Sequence, residues 1–141
     1  MPFLTEEDYR VVAGDTALKV LQQHDETIRT RAEKVAIDEI KGYLATRYDA
    51  DQVFKAIGDK RSDVIVMRTV DVALYHLVSA SPQRMGAEIR EKRYDQAIKW
   101  LQEVQKGNIA AKLPLMMGPN GAENINERIR YNAGQRNEYD W

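Results

Sequence analysis

Residues 62–79 read SDVIVMRTVDVALYHLVS, and this stretch decides the fold. Val64, Ile65, Val66, Met67, Val70, Val72, Ala73, Leu74, Leu77 and Val78 are apolar and cover nearly every side of a helical projection. A helix that is apolar all round is packed on several faces, so this one belongs at the centre of its domain. The β-branched residues between Val64 and Met67 would also suit a strand. The length of the whole run, with Arg68 and Asp71 inside it, favours a helix. Ser62 stands where an N-cap is needed. Arg68 and Asp71 are three apart, within helical reach, and read as a buried ion pair that fixes helix register.

The flanking sequence supplies helices to surround it. Upstream, Asp25 is a good N-cap, and Ile28, Ala32, Val35, Ala36, Ile40, Tyr43, Leu44 and Arg47 follow at spacings of three and four. That spacing predicts one apolar face of a long helix. Glu33 falls within reach of Arg29, and Asp38 within reach of Lys34 and Lys41, as surface ion pairs. Gly42 inside this helix costs about 1 kcal/mol against Ala, which predicts close approach of another backbone. Downstream, Ser81-Pro82 interrupts the chain, because proline biases the residue before it away from the helical region. A second long amphipathic helix follows, with Ile89, Tyr94, Ala97, Ile98, Leu101 and Val104 inside, Trp100 beside them and Gly107 as its C-cap. Nearer the start, Thr5 caps a short helix bearing Tyr9, Val12 and Ala13 that ends at Gly14, and Asp15 caps another. Residues 49–61 read as a connection with one turn of helix. The fold class is all-α: a small helical bundle with long antiparallel helices.

Composition narrows the function. A chain of 141 residues is one domain in size, and 43% hydrophobic with 30% charged residues suits a single modest core. The net charge of −1 provides no global attraction to nucleic acid or to an anionic membrane. The absence of cysteine rules out disulfides, thiolate catalysis and thiolate metal sites, and fits a reducing cytoplasm. The N-terminus is too short and acidic for a signal peptide, and no apolar run approaches the roughly 20 residues that cross a bilayer.

Catalytic and cofactor signatures are missing as well. The two histidines, His24 and His76, are far apart in sequence, and His76 reads as a structural side chain with no acid nearby. No cluster has metal-ligand spacing, Gly118-Pro119-Asn120-Gly121 reads as a tight turn, and no serine sits in a nucleophile elbow. The chain is therefore expected to be non-enzymatic and to carry no cofactor. Arg84, Arg90, Lys92 and Arg93 form a basic cluster interleaved with Glu88 and Glu91. It fits a subunit contact or the wall of a DNA channel.

The last stretch is different in kind. Residues 114–141 are polar, rich in Asn and Gly, and lack a helical or strand period. Yet Leu115, Met116, Met117, Tyr131, Tyr139 and Trp141 punctuate them. Apolar anchors in a segment that cannot build a core fit an extended C-terminal arm that orders on a partner. The expected division is a helical core over 1–113 and an arm over 114–141, and the arm's anchors are the expected interface with another subunit.

Four stretches carry a family resemblance: MPFLTEEDYRVVAGD at 1–15, EIKGYLATRYD at 39–49, DVALYHLVSASPQRM at 71–85 and RYDQAIKWLQEVQKGNI at 93–109. Together they resemble the small head–tail connector proteins of tailed bacteriophages, of the Mu-like prophage neck or head-completion type. The resemblance spans about residues 1–109. It implies a helical adaptor in the virion neck, assembled in the host cytoplasm. Such adaptors form a homo-oligomeric ring, usually twelvefold, beneath the portal protein. The ring extends the channel through which DNA passes without sequence specificity, and it docks the tail or the next neck protein. The alternative is a small helical DNA-binding protein, whose recognition helix would be residues 83–99.

Overall fold

The computed structural model describes residues 3–22, 24–79 and 87–116. Among them are six α-helices: α1 (Glu6–Ala13), α2 (Asp15–Gln22), α3 (Glu26–Leu44), α4 (Ala50–Lys55), α5 (Asp63–Ser79) and α6 (Ala87–Lys106). A 3₁₀ turn spans Gly58–Lys60. The fold is all-α, as the sequence predicts.

Local chemistry sets most of the boundaries. Thr5 and Asp8 close a reciprocal capping box at the start of α1: the Thr5 amide donates to Asp8 Oδ2 at 2.7 Å, and the Asp8 amide donates to Thr5 Oγ1 at 3.3 Å. Gly14 ends α1 with φ +80°, a conformation that side chains with a Cβ rarely adopt. Asp15 is the first residue of α2, one step inside the capping position expected of it. Asp25 Oδ1 accepts from the Ile28 amide at 2.9 Å and starts α3. The Ser62 carbonyl accepts from the Val66 amide at 2.9 Å at the head of α5.

Helix α5 is the hub and packs against α1, α2, α3 and α6. Its residues Ile65, Val70, Val72, Ala73 and Leu74 are fully buried, as its all-round apolar pattern requires. Helices α3 and α6 also touch each other, which completes a three-helix core. They contribute Ala36, Ile40 and Leu44, and Ala97, Leu101 and Val104. Helices α5 and α6 run antiparallel: Tyr75 stacks on Tyr94 at 4.0 Å, while Arg68 lies over Trp100 at 5.5 Å toward the other end. Thr69, buried inside α5, donates its hydroxyl to the Ile65 carbonyl at 2.6 Å and so leaves no unmet donor.

Three expectations are corrected. The buried stripe of α3 is Ala32, Ala36, Ile40 and Leu44, and Ile28 and Val35 stand outside it, 43% and 41% exposed. At about 100° per residue, Ile28 and Val35 lie roughly 100° and 120° round the helix from the centre of that stripe, on the rim of the predicted face. Ile89 of α6 is likewise exposed. Gly42 faces open space, with nothing among the described residues within 4 Å of where a Cβ would stand, so no described backbone approaches it. The surface charges also choose other partners. Lys41 pairs with Asp51 at 3.0 Å, Arg29 with Glu6 at 3.4 Å, and Glu33 accepts from the Tyr9 hydroxyl at 2.8 Å.

Candidate assembly interface

Past α6 the chain folds back on the bundle. Gly107, at φ +86°, ends the helix, and the Asn108 amide and side chain both donate to Glu103, at 2.9 and 2.7 Å. From there the exposure alternates. Ile109, Ala111, Leu113 and Leu115 are half-buried against the core, and Ala110, Lys112 and Pro114 face outward. This is the period of an extended strand laid on a surface.

The junction of α3 and α4 holds this strap. Tyr48 is buried, and its hydroxyl accepts from the Ala111 amide at 3.2 Å. The Asp49 amide donates to the Pro114 carbonyl at 2.8 Å, and the Met116 amide donates to the Arg47 carbonyl at 3.2 Å. These bonds form an antiparallel bridge between Tyr48 and Leu115. Pro114 is tolerated because only its carbonyl is used and it lies at an edge. Asp49 also caps α4, where its Oδ1 accepts from the Gln52 amide at 3.2 Å. A groove of about 570 Å³ lies beside the strap, lined among others by Gln52, Val53, Lys55, Lys60, Lys112 and Pro114.

The predicted interface residues fall in different places. Leu115 and Met116 are half-buried at the end of the strap, and Leu115 packs on the chain's own core. Met117, Tyr131, Tyr139 and Trp141 lie outside the described residues, as does Arg84. Arg90, Lys92 and Arg93 are on the first turns of α6. Lys92 is exposed, but Arg93 turns to Asp71 of α5, with Nε 3.1 Å from Oδ1.

The partner of Asp71 is thus Arg93 across the helix interface, not Arg68 along the same helix. Arg68 instead lies over the Trp100 ring. Asp71 is fully buried, and that burial raises its carboxyl above the usual range against the pull of Arg93, Arg68 and Arg90. Burial also lowers Arg68 and Arg90, each opposed by the attraction of Asp71. The cluster ties α6 to α5.

A second polar cluster joins three helices. Glu39 of α3 accepts from the Tyr94 hydroxyl of α6 at 2.5 Å, and its other oxygen lies 3.2 Å from His76 Nε2 of α5. His76 therefore has an acid beside it, contrary to the expectation from sequence, because Glu39 arrives from another helix. Burial and the Glu39 carboxylate push the Tyr94 hydroxyl well above its ordinary value. All the groups are engaged with one another at a helix junction, which is a structural arrangement.

Sequence reasoning missed Tyr48 and the strap. A signal was present: apolar residues at 109, 111, 113 and 115 alternate with Ala110, Lys112 and Pro114. No described helix is long and apolar enough to cross a membrane.

Comparison with known proteins gives one assignment. Residues 3–126 match the model of the family described as Bacteriophage Mu, Gp36. The match covers most of the chain, which belongs to that family and is a Mu-like phage protein. No curated protein and no solved structure matches it.

Proposed function

We propose that this member of the Gp36 family is a structural virion protein, the head–tail adaptor of the phage neck. Many copies form a ring beneath the portal protein, usually twelvefold in such adaptors. The ring extends the DNA channel and docks the tail or the next neck protein. It acts by binding, without turnover or cofactor.

The family match carries this reading, and the strap supports it. Two backbone hydrogen bonds and one to the Tyr48 hydroxyl fix the chain through Met116, so the end of the strap is held at a defined point. A fixed exit suits an arm that must reach a neighbouring subunit or the portal in every copy. The DNA-binding alternative loses support at α6. Arg93 is turned to Asp71 and Arg90 is half-buried, which leaves Lys92 without the basic row that a recognition helix needs.

Electron microscopy of the protein mixed with its phage's purified portal or tailless heads tests the proposal. A ring of added density at the portal vertex is the expected result. Absence of binding to a functional portal would overturn the adaptor role.

A further inference from the structure

The outward face of α3 is used neither by the core nor by the strap. Ile28 and Val35 are exposed there, and Gly42 follows at the same interval of seven residues. Seven residues fall about 20° short of two full turns, so the three positions form one stripe centred on Val35. Arg31 and Asp38 are exposed on a single flank of that stripe, about 40° and 60° from Val35. Neither enters an ion pair among the described residues. The space above Gly42 is open, although a glycine inside a helix is costly and no contact among the described residues requires one.

We infer that the stripe is a self-complementary surface on which α3 of a second copy packs antiparallel, with a two-fold axis at Val35. In that register Ile28 of each copy faces Gly42 of the other, a large side chain over a vacant one. Arg31 of each copy meets Asp38 of the other within about one residue's rise of 1.5 Å. A two-fold axis perpendicular to the helices keeps both ion pairs on the same flank. Parallel pairing instead sets Gly42 against Gly42 and turns the Arg31–Asp38 flanks of the two copies to opposite sides, which leaves a gap and both charges unpaired. The occupant is therefore another α3 in the antiparallel sense.

This contact is isologous, whereas a ring seated at one vertex is polar and is built from heterologous contacts. The pair belongs to the free chain before assembly, and it stands or falls independently of the adaptor role. One helix face is a small interface, so the dimer is weak and concentration-dependent.

Sedimentation equilibrium of the full chain over a dilution series tests it. The expected result is a reversible monomer–dimer equilibrium. Arg31→Asp and Asp38→Arg each weaken it by about tenfold or more, and the double exchange restores it. Gly42→Gln also abolishes the dimer while leaving the monomer helical by circular dichroism. A chain that stays monomeric at every concentration overturns the inference. So does a dimer indifferent to these substitutions, or a double exchange that fails to rescue.

Discussion

Asp8 illustrates what one side chain does in this molecule. Its carboxylate closes the capping box of α1 and receives Arg61, whose Nη1 and Nη2 lie 2.5 and 3.1 Å from its two oxygens. Arg61 Nη1 also donates to the Phe3 carbonyl at 2.7 Å, so one guanidinium ties the N-terminal segment, α1 and the entry to α5 together. Burial pushes the Asp8 carboxyl up, but the hydrogen bonds from Arg61 and Thr5 outweigh it and hold the group below its ordinary value. The folded value thus lies below the unfolded one. Its contribution is complete above pH ~4 and is lost as pH falls through the lowered folded value. Asp8→Asn is expected to cost about 1–3 kcal/mol at neutral pH. The difference from the native chain should shrink in acid. Urea unfolding of both proteins at neutral and acidic pH checks the sign.

At the scale of the element, two glycines have opposite roles. Gly14 joins α1 to α2 at φ +80° and ψ −176°, a region reserved almost entirely for glycine. There is room for a methyl group, so the cost of Gly14→Ala is backbone strain of about 1–3 kcal/mol. Gly42 has ordinary helical geometry and the same open space. Gly42→Ala should therefore stabilise the monomer by about 1 kcal/mol. Thermal melts at low concentration, where the chain is monomeric, should show shifts of opposite sign. Equal destabilisation by both would mean that the α3 surface around Gly42 is not open.

For the molecule as a whole, the strap extends past the expected core boundary. The Pro114 carbonyl, the Leu115 side chain and the Met116 amide all engage the junction of α3 and α4. Truncation after Leu113 removes these contacts and is expected to cost about 1–3 kcal/mol, from lost hydrogen bonds and apolar burial. Truncation after Met116 retains them and should leave the midpoint of the bundle's unfolding unchanged. Tyr48→Phe, which deprives the Ala111 amide of its acceptor, should cost about 1 kcal/mol. Hydrogen exchange at the Ala111 and Met116 amides reads the same event locally, because a loosened strap exposes both.

The amino-acid sequence was enough to establish that the protein is helical, where most helices begin, and which one lies at the centre. Those properties depend on neighbours within a turn or two: Thr5 with Asp8, Asp25 with Ile28, and the all-round apolar run of α5. It also carried the resemblance to Mu-like phage proteins that the family match supports. How the polar groups pair became visible only in the packed bundle. Asp71 and Arg93 are 22 residues apart, His76 and Glu39 are 37, Tyr94 and Glu39 are 55, and Ala111 and Tyr48 are 63. Helical spacing reveals partners three or four residues away, so Arg68 is visible to Asp71 in the sequence and Arg93 is not. The outward turn of Ile28, Val35 and Ile89 was settled in the same way. A residue on the rim of a helix face is buried only if a neighbouring helix crosses at its level, and that crossing is a property of the packed bundle.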